Sequence, residues 1–152
     1  MLISCHNLEV DDIATGSVEE NFSSIKDPEE RWQAYNLKNY TIEEVQYCEC
    51  LPPNKWNTII ANNIVEDVKY EISKDSYYSR TEDEIYNQTK KSAITIEEAF
   101  ELIKQYKNNS YRLDVKYNIR FGYPERIFID IDSLIADEEI IREFSNLKKT
   151  IN

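Results

Sequence analysis

Three cysteines, one histidine and a late cluster of carboxylates are the side chains whose type and spacing could carry chemistry here. Cys48 and Cys50 stand two apart, so a regular strand would point both thiols to one face with Cα atoms about 6.6 Å apart, near the upper limit for a disulfide. Three roles fit such a pair: a local disulfide at a strand end in an oxidising compartment, two reduced thiols packing as small hydrophobes, or a redox or soft-metal site. Two thiolates leave zinc short of its four ligands, and neither His6 nor another cysteine lies close in sequence, which favours the two structural roles. A bridge closing so small a ring is more easily reduced than a long-loop disulfide and removes little entropy from the unfolded chain.

Cys5 follows Leu2-Ile3-Ser4, a pattern like the end of a bacterial lipoprotein signal, in which the cysteine is acylated and becomes the new N-terminus. The basic and apolar parts of such a signal do not precede it in this sequence, and a free cytosolic thiol is the alternative. Catalysis by Cys5 with His6 would require adjacent residues on a flexible leader to face each other, which regular backbone geometry disfavours. Asp130-Ile131-Asp132 followed by Asp137-Glu138-Glu139 invites a calcium reading. An EF-hand would need an oxygen ligand near Leu134, a glycine near Ile135 and a glutamate near Ile141; all three are apolar, so these acids read as strand-end and helix-start residues. The sequence therefore assigns no catalytic residue, no metal and no cofactor.

Composition narrows the classes further. The chain of 152 residues is 41% hydrophobic and 31% charged, enough to bury one core and the length of a single domain. Its 29 acidic against 18 basic residues give a net charge of −11, and this field repels a phosphate backbone, so no nucleic-acid partner is expected. Only Gly16 and Gly122 are glycines, too few for a P-loop or a dinucleotide fingerprint, and one histidine excludes a multi-histidine metal site. No apolar run approaches the ~20 residues of a membrane-spanning helix, leaving a lipid at Cys5 as the expected membrane contact.

The elements that must position these residues follow from periodicity. Residues 1–26 carry no sustained period and are expected to be a flexible leader, residues 27–148 a single domain and 149–152 a tail. Asp27-Pro28-Glu29-Glu30 spells a helix start, and Trp32 with Tyr35 gives a buried stripe on a helix predicted to end near Asn39. A strand over Tyr40 to Cys50 changes its apolar parity at Glu43-Glu44, where a bulge is expected. Trp56 to Ala61 and Ile64 to Ile72 flank Asn62-Asn63 as a hairpin, because asparagine tolerates positive φ. Lys74 to Ser92 reads as a long polar excursion. Thr95-Ile96-Glu97-Glu98 is a capping box, and Ile96, Ala99, Phe100 and Ile103 keep helical spacing up to a stop at Asn108-Asn109. Tyr111 to Tyr117 and Ile127 to Ile131 alternate as strands around Phe121-Gly122-Tyr123-Pro124. Ile140, Ile141, Phe144 and Leu147, with acids before and lysines after, predict a terminal helix over Asp137 to Lys148. The expected fold is α+β with two layers, a mainly antiparallel sheet in the order helix-βββ-helix-ββ-helix, and Trp32, Phe100, Ile103, Leu113, Val115, Ile127 and Ile129 in its core.

Arg31-Trp32, Tyr40, Cys48-Glu49-Cys50-Leu51-Pro52-Pro53, Thr95 to Phe100, Val115-Lys116-Tyr117, Gly122-Tyr123-Pro124 and Ile129-Asp130 occur in an order that resembles the domain of unknown function 6174 family, over roughly Pro28 to Phe144. Asn62-Asn63 departs from the glycine-containing turn of its relatives. The resemblance implies a small secreted or lipid-anchored bacterial protein of unknown activity. Taken with the residues, it leads to the expectation of a non-catalytic cell-envelope module with an unknown protein or small-molecule partner. A cytosolic acidic inhibitor of the immunity type, and a thiol redox or metal carrier using Cys48 and Cys50, are the alternatives.

Overall fold

The structure is a computed structural model, which describes residues 13–48, 50–73, 75 and 79–151. Its elements are β1 (Thr15–Gly16), α1 (Pro28–Tyr35), β2 (Tyr40–Tyr47), β3 (Lys55–Ala61), β4 (Ile64–Lys69), α2 (Glu82–Ser92), α3 (Ile96–Tyr106), β5 (Arg112–Tyr117), β6 (Pro124–Asp130) and β7 (Ile140–Thr150). The strands make one antiparallel sheet in the order β4-β3-β2-β7-β6-β5, with β1 paired to the end of β7. This α+β sheet carries α1 and α3 over one face, and their apolar stripes close the main core.

Local chemistry explains each helix. The Asp27 carboxylate accepts from the Glu30 amide, Pro28 fills the first helical position, and Trp32 and Tyr35 turn inward. In α3 the Thr95 hydroxyl caps the Glu98 amide while the Glu98 carboxylate accepts from the Thr95 amide, and Ile96, Ala99, Phe100 and Ile103 are buried. The core joins these residues to Tyr40, Ile42, Ile60, Ile127, Ile129 and Phe144 from the strands. Leu113 and Val115 pack against it from the edge strand β5 but remain half-buried, because no further strand covers that edge. A smaller cluster of Trp56, Val68 and Ala93 seats α2 against the other end of the sheet.

Several expectations are corrected. Residues 82–92 are not an excursion but α2, started by a second capping box between Thr81 and Glu84, with Ile85 and Thr89 one turn apart on its buried side. Helix α1 ends at Asn36, which takes the left-handed conformation at φ 48, rather than at Asn39. The largest correction is the expected terminal helix, which is strand β7. Thr41 pairs with Lys148 and Glu43 with Ser145, so two residues of β2 oppose three positions of β7; Asn146, at φ 55, is the additional one. The bulge reverses side-chain parity, so Phe144 and Leu147 face the core at a spacing of three that imitates a helix. For the same reason Glu43-Glu44 holds no bulge of its own: Tyr40, Ile42 and Glu44 continue on one inner face.

The hairpin forms on Asn62 (φ 52) and Asn63 (φ 62), with its second arm ending at Lys69 rather than Ile72. Residues 13–26, expected to belong to a flexible leader, lie against the domain. Thr15 and Gly16 pair with Thr150 and Lys149, Val18 is buried, and the Phe22 ring meets Tyr35 edge-on at 4.9 Å. Lys149 and Thr150, expected in a tail, are thus strand residues.

Candidate functional site

The Cys-x-Cys-x-Pro-Pro segment leaves the sheet where β2 ends. Backbone pairing stops at Tyr47, and the Gln46 amide donates to the Asn54 carbonyl at 2.8 Å to close the base of the loop. Cys48 and Cys50 are exposed and bridged as a disulfide with Cα atoms 5.1 Å apart, closer than an ideal strand would place them because the chain has left the strand. Arg80 donates to the Pro52 carbonyl and ties the loop to the start of α2. Beside the loop is a crevice of about 90 Å³ lined by Cys50, Pro53, Trp56, Gln88, Thr89 and Ser92.

Behind this crevice lies a buried polar cluster. Glu44 is 1% exposed, and its carboxylate accepts from the Thr58 hydroxyl, from the Ile94 amide at 3.1 Å and from Arg142 Nη1 at 3.2 Å. Arg142 also donates to the Ser92 carbonyl at 2.9 Å, which fastens the α2–α3 junction to the sheet. Burial pushes the Glu44 carboxyl up to about 7, against the opposing pull of Thr58, Arg142 and the Ile94 amide. The same burial lowers Arg142 from its ordinary value, while the Glu44 charge opposes that shift. Both oxygens of this carboxylate accept from structural partners, which lock the strand and helix layers together.

A second buried network joins α1, β2 and α3. Trp32 Nε1 donates to Glu97 Oε1 at 2.9 Å, the Tyr40 hydroxyl to Glu97 Oε2 at 3.4 Å, and the Ile96 amide to the Tyr40 hydroxyl at 3.0 Å. Burial, then the Glu97 charge, raises the Tyr40 phenol far above its usual value, which keeps it a neutral hydrogen-bonding group. Arg31, next to Trp32, donates to the carbonyls of Ile25 at 2.7 Å and Ile119 at 2.6 Å, clamping the segment before α1 to the β5–β6 loop. Gly122 sits under this clamp at φ +84, where an added Cβ would lie 2.2 Å from the Pro28 carbonyl oxygen. Trp32 meets Tyr40 and Tyr123 edge-on, at 5.4 and 6.3 Å between centroids. The Arg-Trp and Gly-Tyr-Pro residues that carry the family resemblance are therefore an architectural joint.

Of the residues singled out from sequence, Cys48 and Cys50 are brought together, while Cys5 and His6 lie outside the described residues. The late carboxylates are not arranged around a common point. Glu138 accepts from the Asp132 amide, Asp132 accepts from the Leu134 amide at 2.9 Å, and neither forms an ion pair among the described residues. Among the described residues no group of three or more His, Cys, Asp or Glu could hold a metal ion, and no helix is long and apolar enough to cross a membrane. Sequence reading missed Glu44, Thr58 and Arg142; the one signal was an acid in register with Tyr40 and Ile42. A cleft of about 630 Å³ also opens where β1 meets β7, lined among others by Gly16, Tyr35, Leu37, Lys38 and Lys149.

The family described as a family of unknown function (DUF6174) matches residues 24–149, which takes in α1, α2, α3 and all but the last residue of β7. No curated protein and no solved structure matches the chain.

Proposed function

This chain belongs to the DUF6174 family of unknown function, and from that premise we propose that it is a non-catalytic binding module of the bacterial cell envelope, held at a membrane by a lipid on Cys5. The observation that carries this reading is the exposed Cys48–Cys50 bridge, since an accessible disulfide persists in the oxidising space outside the cytoplasm and not among cytosolic thiols. The charged groups inside the fold support the binding half of the reading: buried Glu44 and half-buried Arg142 and Glu97 are held by framework partners. The Leu2-Ile3-Ser4-Cys5 pattern supplies the anchor. Expression with the native upstream sequence should give an acylated, membrane-fractionating protein that Cys5→Ala releases. Lipid labelling unchanged in Cys5→Ala, or wild type in the soluble cytosolic fraction, would overturn the reading.

A further inference from the structure

We propose that the β6–β7 end of the sheet is a docking tip for a protein segment that combines aliphatic side chains with lysine or arginine. Nine residues, 131–139, connect β6 to β7, and their tip presents Leu134, 91% exposed, and Ile135, 55% exposed. Tyr111, 68% exposed, stands at the start of this connection, with its amide hydrogen-bonded to the Ile131 carbonyl at 3.2 Å. Leu134 and Ile135 are presented by a built turn: the Asp132 side chain accepts from the Leu134 amide, its carbonyl accepts from the Ile135 amide, and Glu138 accepts from the Asp132 amide. A patch of this kind, grouped and held in place by backbone bonds, marks an interaction surface more often than scattered apolar residues do.

Charge identifies the occupant. Asp130, Asp132, Asp137, Glu138 and Glu139 lie on this connection or at its start, the sequence holds no cation between Arg126 and Arg142, and none of the five acids belongs to an ion pair among the described residues. Arg112, opposite Asp130 in the β5–β6 register, forms its ion pair with Asp114 and lies over the Phe128 ring at 5.3 Å. A second copy of this chain would bring five carboxylates against five, and an anionic lipid surface would be repelled in the same way, so a cationic amphipathic protein segment fits best. The β1 residues Thr15–Gly16 pair with Lys149–Thr150 at the other end of β7, about 33 Å along the strand from Ile140.

The test uses the full chain with Cys5→Ser and two synthetic amphipathic helical peptides, one with leucines and lysines and its counterpart with glutamates for lysines. Titration calorimetry should show binding of the lysine peptide only, weakened at least tenfold in Leu134→Ser/Ile135→Ser and in Asp137→Asn/Glu139→Gln. Controls Ile119→Ser and Glu19→Gln/Glu20→Gln, remote from the tip, should bind like the parent. Equal binding of both peptides, no binding, or equal weakening by the remote substitutions would overturn the proposal. So would a tip-dependent dimer in sedimentation, or tip-dependent partition onto phosphatidylcholine vesicles in place of peptide binding. Because the measurement is made without a lipid, its failure is separate from failure of the anchor.

Discussion

The Glu44 carboxylate and the Arg142 guanidinium stand 3.2 Å apart on adjacent strands, both turned toward the helical layer. Their side chains are 2% and 14% exposed, so an ionised Glu44 is tolerable only because Arg142 is there. The pair adds little net stability over an apolar pair of equal volume, but it fixes how the α2–α3 junction sits on the sheet.

This pair predicts a pH dependence with a definite sign. Glu44 has a raised folded-state value, so between the ordinary carboxyl range and about 7 the folded chain keeps a proton the unfolded chain has lost. Its contribution is complete below that window and is lost as pH rises through it, with a slope of at most about 1.4 kcal/mol per pH unit. Glu44→Gln should flatten the window in denaturant titrations; an unchanged slope would show that Glu44 does not titrate there. Arg142→Met should cost about 3–5 kcal/mol at alkaline pH and less in acid, where the orphaned carboxyl can protonate.

Gly122→Ala should destabilise the chain by more than an ordinary surface substitution, about 2 kcal/mol or more, because positive φ and the approach to the Pro28 carbonyl act together. The obstructing atom is backbone and cannot swing aside. A thermal midpoint within a degree of wild type would show that the joint between α1 and the β5–β6 loop yields.

Asn146→Val should cost about 1–2 kcal/mol, since a β-branched residue is forced into the left-handed region, whereas Asn146→Gly should lie within about 0.5 kcal/mol of wild type. Equal losses in both would mean that the Asn146 side chain, and not its backbone, holds the bulge.

Reduction of the Cys48–Cys50 bridge should leave the fold intact, because the loop lies outside both cores and so short a ring constrains the unfolded chain by less than the usual 2–4 kcal/mol. Peptide mapping should find the bridge, and the freed thiols should alkylate slowly with or without zinc. Rapid alkylation that zinc suppresses would transfer the pair to the redox or metal reading.

Where a local signal and the tertiary environment agree, the elements were legible. The Thr95 capping box, the stripe from Ile96 to Ile103 and the asparagine hairpin all lie where their chemistry placed them. Helix α2 was missed although Thr81 and Glu84 repeat the same signature, because its buried side is made of Ile85 and the polar Thr89, with a half-buried Tyr86 beside them, and shows no apolar stripe. Strand β7 was misread because one left-handed residue changed the period from two to three between Phe144 and Leu147. The polar cluster at Glu44 could not be read at all, since Thr58 and Arg142 come from strands whose register with β2 is set in three dimensions.

The sheet order places β7 between the β2–β4 meander and the β5–β6 hairpin, and β7 follows every other strand in the chain. During synthesis, or passage through a membrane pore with the N-terminus leading, the two halves of the sheet are available long before the strand that joins them. Ile127, Ile129 and the inner face of β2 have no common neighbour until Phe144 arrives. Folding is thereby coupled to the arrival of β7: a nascent polypeptide halted before Ile140 should stay protease-sensitive throughout, and extension through the eleven residues of β7 should convert it in one step to the resistant form.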